Sequence, residues 1–180
     1  GLAGWSSPLE VMTSLCEWCR SNEYHLVIKL HPKEHTGNDP INNKPMEDLT
    51  WRKICADPVL SKLVSMSCVT VDHDNSLDTY SLIDKCACAV TINSQAGLEA
   101  AIRGKPVVVC GNAFYANMSF THDSPHPDYL DRTMRRAIEA EYDPLEAQRF
   151  THIFYNHYCR DKTASSLADL IIENGKHGLY

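Results

Sequence analysis

No stretch of the 180-residue sequence approaches the roughly 20 consecutive apolar residues that a membrane-spanning helix needs. The chain also lacks a surplus of positive charge, with a formal net charge of -6 from 17 Lys and Arg against 23 Asp and Glu. Nonspecific binding to nucleic acid draws on a basic surface, so that class of partner is disfavoured, while a local pocket for a single phosphate stays open. Neither a Walker-type GxxxxGK[ST] loop nor a GxGxxG fingerprint is present, which argues against a nucleotide triphosphatase and a typical dehydrogenase. Repeats and low-complexity tracts are missing too. Gly1 to Trp5 have no charged-then-apolar pattern of a signal peptide, and without an initial Met they read equally as a cut end.

What is there is an ordinary globular composition, 43% hydrophobic and 22% charged. The length suits a single domain over residues 1–180, with 128–180 as a helical extension. Cysteine is the residue in excess, at eight. Cys16 and Cys19 form a CxxC, but inside a helical pattern rather than at the strand-to-helix junction of a thioredoxin-like site. Cys86 and Cys88 open the apolar run Ala87 to Ile92, and Cys68 and Cys110 lie in strand-like segments. The expectation is buried free thiols acting as small hydrophobes in a reducing cytoplasm, ahead of a zinc site or structural disulfides.

The order of elements points to an α/β fold. Ser7 and Pro8 look like a helix cap and first-turn proline, leading a helix to Ser21 with Val11, Leu15 and Trp18 on one face. Tyr24 to Leu30 reads as a strand whose adjacent Leu26, Val27 and Ile28 suit burial on both faces. A long polar loop from His31 to about Thr50 follows. Helices are expected at Trp51–Ala56, Pro58–Met66 and, capped by Ser76, at Ser76–Asp84, with strands at Cys68–Val71 and Ala87–Ile92. Asn93-Ser94 opens a helix to about Arg103, Gly104 ends it as a left-handed cap, and Pro106–Cys110 is the next strand. Asn112–Pro127 reads as loop, and Tyr129–Glu141, Pro144–Arg160 and Thr163–Asn174 as helices. This alternation predicts a Rossmann-like, mostly parallel sheet with crossover helices.

In such sheets ligands sit beyond the carboxyl ends of the strands, and two of those places carry chemistry. The first is Lys29-Leu30-His31-Pro32-Lys33-Glu34, where Pro32 biases His31 toward an extended backbone. Its imidazole would project from the sheet edge beside Lys33, able to bind a phosphate or stabilise a departing one, or else be satisfied by local backbone. The second is Thr91-Ile92-Asn93-Ser94-Gln95-Ala96-Gly97-Leu98-Glu99-Ala100-Ala101, a strand-to-helix turn. There the helix N-terminus and the Ser94 hydroxyl favour an anion, Gly97 admits a close ligand, and Gln95 and Glu99 share a face suited to ribose hydroxyls. An ordinary capped crossover helix is the plainer alternative. Asp72, Asp74 and Asp78 read as loop and cap residues.

Taken together, Lys-x-His-Pro-x-Glu, Asn-Ser-x-x-Gly-Leu-Glu-Ala, Gly104-Lys105-Pro106-Val107-Val108 and Gly111-Asn112-Ala113-Phe114-Tyr115 resemble the capsule polysaccharide biosynthesis family over about Tyr24 to Thr121. That family includes the bacterial β-Kdo transferases, inverting enzymes related to GT-B sialyltransferases. The resemblance implies a glycosyltransferase whose C-terminal half binds a CMP-activated sugar, usually CMP-Kdo, with no metal or other cofactor. It places His31, the catalytic candidate, and Ser94 on the CMP phosphate, and Glu34 or Glu99 on its ribose or base. Lys33 adds charge near the leaving group, and the loop with Phe114 and Tyr115 borders the donor pocket. Lys29, Asn93, Gln95 and Gly97 complete the expected nucleotide-sugar site. The partners implied are the nucleotide sugar and a glycan or glycolipid acceptor, in a cytoplasmic protein, peripheral at most to the inner membrane. Too little chain precedes Tyr24 for the N-terminal domain that supplies the acceptor side and the base, so the expectation is a fragment that binds donor without transferring it. A UDP-sugar epimerase or phosphorylase of GT-B shape and a noncatalytic nucleotide- or glycan-binding module are the alternatives.

Overall fold

The computed structural model describes residues 4–38 and 43–158. Its first helix, α1 (Pro8–Ser21), starts as the local chemistry dictates. Ser7 is extended, its hydroxyl accepts the Glu10 N–H at 3.1 Å, and Pro8 sits where a missing N–H costs nothing. Val11, Leu15, Cys16, Trp18 and Cys19 form the buried face, and the Trp18 indole donates to Asp131 Oδ1 at 2.9 Å.

Strand β1 (Leu26–Lys29) pairs in parallel with β2 (Val69–Asp72), Leu26 opposite Val69 and Lys29 opposite Asp72. The connection carries α2 (Pro32–Thr36), α3 (Leu49–Ala56) and α4 (Leu60–Leu63). A core of Cys16, Ile28, Leu30, Ile54, Leu60, Leu63 and Val69 joins α1, β1, α3, α4 and β2. Burial of β1 on both faces is not what the fold delivers: Ile28 is buried but Val27 is 37% exposed. A two-stranded sheet with one covered face imposes the period-2 alternation that the three adjacent apolar residues conceal.

Helix α5 (Thr79–Lys85) begins later than the sequence suggests. Its cap is Asp78, whose Oδ2 accepts the Ser81 N–H at 2.7 Å. Ser76 is otherwise engaged, donating its hydroxyl to Asp72 Oδ1 at 3.3 Å. Beyond α5 lie β3 (Ala89–Thr91), α6 (Ala96–Ile102), β4 (Val107–Val109) and β5 (His122–Asp123), with strand order β3-β4-β5, all parallel. All three valines of β4 are buried, as a central strand requires. Gly104 has φ +78°, the left-handed conformation expected of it. β5 falls in a stretch expected to be loop; two residues are too few to show a period. A 3-10 turn (Pro127–Tyr129) leads into α7 (Leu130–Glu139), and α8 (Leu145–Tyr158) packs on α6, with the Gln148 amide donating to the Ile102 carbonyl at 3.4 Å. The helix expected at Thr163–Asn174 lies outside the described residues.

The fold is therefore Rossmann-like α/β with short parallel sheets and crossover helices, as the alternation predicts. Its strands divide between two sheets, and the chain between two compact units: Gly1–Leu82 with Pro125–Asp131, and Ile83–Ser124 with Arg132–Tyr180. Cys16, Cys19 and Cys110 are buried free thiols; Cys68, Cys86 and Cys88 are half-buried, and Cys55 is exposed. Burial pushes Cys16 and Cys19 up to about 11 and Cys110 to about 12. No helix among the described residues is long and apolar enough to cross a membrane.

Candidate functional site

In the first unit the candidate chemistry gathers at the carboxyl ends of β1 and β2. Lys29 and Asp72, register partners, form an ion pair with Nζ and Oδ2 2.5 Å apart, and Nζ also donates to the Leu77 carbonyl at 2.8 Å. The Asp72 side chain is fully buried. Burial alone would raise its carboxyl; the Lys29 hydrogen bond, the Leu77 N–H, the Lys29 charge and the Ser76 hydroxyl together hold it below the ordinary value. Lys29 is thus committed to pinning the two loops. Glu34 is committed as well, because its two oxygens accept the Thr50 N–H at 2.8 Å and the Thr50 hydroxyl at 2.7 Å. This carboxylate caps α3, whose positional cap Asp48 is left-handed and makes no such bond. The next residue, Trp51, stacks on His73 with ring centroids 4.8 Å apart.

His31 behaves differently. Its backbone is extended, φ -69° and ψ 130°, and its Nδ1 accepts the Lys33 N–H at 3.1 Å, which makes it the cap of α2. A ring nitrogen that accepts carries no proton, so in this geometry the imidazole hydrogen is on Nε2. His31 and Lys33 are both exposed. The plain alternative of a locally satisfied histidine holds for one nitrogen, and Nε2–H is left as a fixed, outward hydrogen-bond donor.

In the second unit the turn from β3 to α6 is built from short-range bonds. The Ser94 N–H donates to Thr91 Oγ1 at 3.0 Å, and Ser94 Oγ accepts the Ala96 N–H at 3.2 Å. The serine oxygen is therefore used as a cap while its hydrogen is available to an anion. Asn93, Ser94 and Gln95 are exposed. Gln95 Nε2 donates to Glu99 Oε1 at 3.3 Å, which joins the two side chains on the shared face that their spacing implies. Gly97 is buried, and its missing side chain makes room for protein rather than ligand. A Cβ there would lie 2.2 Å from the Tyr115 hydroxyl oxygen and 2.7 Å from the Thr91 methyl.

Tyr115 itself is fully buried and donates its hydroxyl to the Ser94 carbonyl. Burial raises its phenol to about 12, against hydrogen bonding with Thr91 and with the backbone of Leu98 and Gly97. Phe114, next to it, is 48% exposed and stacks on Phe154 of α8 at 4.8 Å between centroids. The expected site residues thus sort within each unit. His31, Lys33, Asn93 and Ser94 present polar groups to solvent; Lys29, Glu34, Gly97 and Tyr115 hold the loops that carry them. Thr91 opens the second segment, but its role is not legible there, because a threonine ending a strand carries no pattern that separates a turn-building hydroxyl from an ordinary β-branched residue. Asp74 and Asp78 accept backbone N–H groups of Ser76 and Ser81, the loop and cap roles expected of them.

A family model described as "Capsule polysaccharide biosynthesis protein" matches residues 8–158. Neither the curated proteins nor the solved structures contain a match to this chain.

Proposed function

The chain belongs to the capsule polysaccharide biosynthesis family, with a role in capsule synthesis of glycosyltransferase-like character, and from that premise we propose that it binds a CMP-activated acidic sugar such as Kdo for inverting transfer to a glycan or glycolipid acceptor. The observation that carries this reading is the cap geometry of His31, which leaves Nε2–H as an exposed donor at the carboxyl end of a parallel strand. A neutral donor held in place can accept the charge that grows on a departing phosphate without reorganising. Lys33, exposed in the first turn of α2, adds positive charge. In the other unit the Ser94 hydroxyl and the Asn93 side chain offer donors at the end of β3, and Glu99 with Gln95 offers acceptors suited to ribose hydroxyls. Phe114 contributes an exposed ring for the donor's flat or apolar face. Each assignment is made within its own unit and is tested by its own variant.

No protein carboxylate is assigned as the base. Asp72 is sequestered by Lys29, and Asp74 and Asp78 hold backbone N–H groups. The test is calorimetry of the chain with CMP, UDP and GDP. CMP should bind about tenfold or more tightly than the other two. Equal or absent binding by the folded chain removes the CMP-donor reading, and a preference for UDP points to an epimerase-like enzyme. Transfer from CMP-Kdo, with inversion at the anomeric carbon read by NMR, tests the reaction itself.

A further inference from the structure

Tyr115 ends a five-residue motif whose other aromatic, Phe114, is exposed and can meet a ligand; Tyr115 cannot, because none of its surface reaches solvent. Three observations show where its hydroxyl is directed. It donates to the Ser94 carbonyl, it lies where a Gly97 side chain would stand, and it shares that space with the Thr91 methyl. Thr91 in turn accepts the Ser94 N–H through Oγ1. Ser94 is therefore gripped at both backbone polar groups, its N–H by Thr91 and its C=O by Tyr115. One residue from the sheet, Thr91, and one from the loop after β4, Tyr115, thus tie the turn to the core.

We propose that Tyr115 is a positioning residue for the β3–α6 turn: its hydroxyl holds the Ser94 backbone so that the Ser94 hydroxyl hydrogen and the Asn93 side chain stay aimed outward at the donor's phosphate. The inference rests on the proposed function for the identity of the ligand, but not for the geometry of the grip. The Ser94 carbonyl satisfies the buried hydroxyl, and the same bond ties the exposed turn to the core, so loss of the oxygen should register in the turn and not in packing alone. Gly97 follows as the second half of the device, since any side chain there would displace the tyrosine oxygen. The gain is in preorganisation: a turn already in its bound geometry loses less conformational freedom when the anion arrives.

The test is a double-substitution cycle on the whole chain, read by CMP affinity. Tyr115→Phe keeps the ring and removes one oxygen, so the fold should persist by circular dichroism. Its CMP affinity should fall about tenfold, and Ser94→Ala alone should cost a similar factor. Combined, the two should cost little more than either one, because each disables the same donor. Full additivity, or a Tyr115→Phe variant with wild-type affinity while Ser94→Ala still loses binding, overturns the positioning role and leaves Ser94 as a ligand. A Ser94→Ala variant with wild-type affinity sinks the assignment of this turn to the phosphate, and the positioning role with it. Hydrogen exchange on the unliganded wild-type chain decides independently if the phenylalanine variant does not fold. The Ser94 and Ala96 amides should exchange as slowly as those of β4, and rapid exchange there would mean the turn is not held.

Discussion

His31 carries two duties on one ring, and substitution can separate them. Replacing it with Ala removes the α2 cap, at about 1 kcal/mol, together with the Nε2 donor. Asn is a good cap whose side-chain oxygen can take the Lys33 N–H, yet it has nothing in the Nε2 position. His31→Asn should therefore keep the melting temperature near that of the wild type and lose about 1.5–3 kcal/mol of CMP binding, the range for a hydrogen bond to a charged group. His31→Ala should lose both. Retained affinity in the Asn variant would reduce His31 to a cap. For the Lys29–Asp72 pair the expected readout is stability. Asp72→Asn should cost about 2 kcal/mol in urea unfolding, less than a wholly buried pair because the Lys29 side chain keeps 19% exposure. The native carboxyl sits below its unfolded value, so its contribution is present above about pH 4 and is lost as pH falls toward and through the native value. That part of the acid limb should be missing from Asp72→Asn.

Elements were legible where a local signal and the tertiary demand agree. Ser7-Pro8 with a 3.6-residue apolar period located α1 to the residue, and Gly104 marked the end of α6, because capping and left-handed φ are decided within a few residues. Strand ends were less sharp, since β1 and β4 are both apolar runs and only partners distinguish a one-faced strand from a covered one. The short α2 was hidden in what looked like a polar loop; its cap is a histidine, outside the residues usually sought at that position. Of the candidate site, the positions of His31 and Ser94 at strand ends could be read directly. The division of labour among their neighbours could not, because it depends on long-range bonds such as Glu34 to Thr50 and Tyr115 to Ser94. The glycine of the second motif shows this most clearly. Its spacing invited a ligand, while the space beside it belongs to a tyrosine 18 residues later in the sequence.

For the whole molecule the buried acids of the alkaline range set a limit on stability. Cys16 and Cys19 near 11, and Cys110 and Tyr115 near 12, all stay protonated in the fold at a pH where the unfolded chain has ionised them. Unfolded thiols titrate at about 8.5 and phenols at about 10, so the fold binds more protons above those values. The contribution of these four groups should be constant below about pH 8 and decline steadily toward pH 11, which urea titrations from pH 8 to 11 would measure. A thiol reagent at neutral pH should label Cys55 quickly and Cys16, Cys19 and Cys110 only on unfolding; prompt labelling of all three would contradict their burial. Descent with modification meets the same crowded contact between Gly97 and Tyr115. Alanine in place of the glycine would meet the phenolic oxygen and the Thr91 methyl together, so it is open only to a lineage in which both have already been lost or moved. Changes at Tyr115 and Thr91 should therefore precede any change at Gly97.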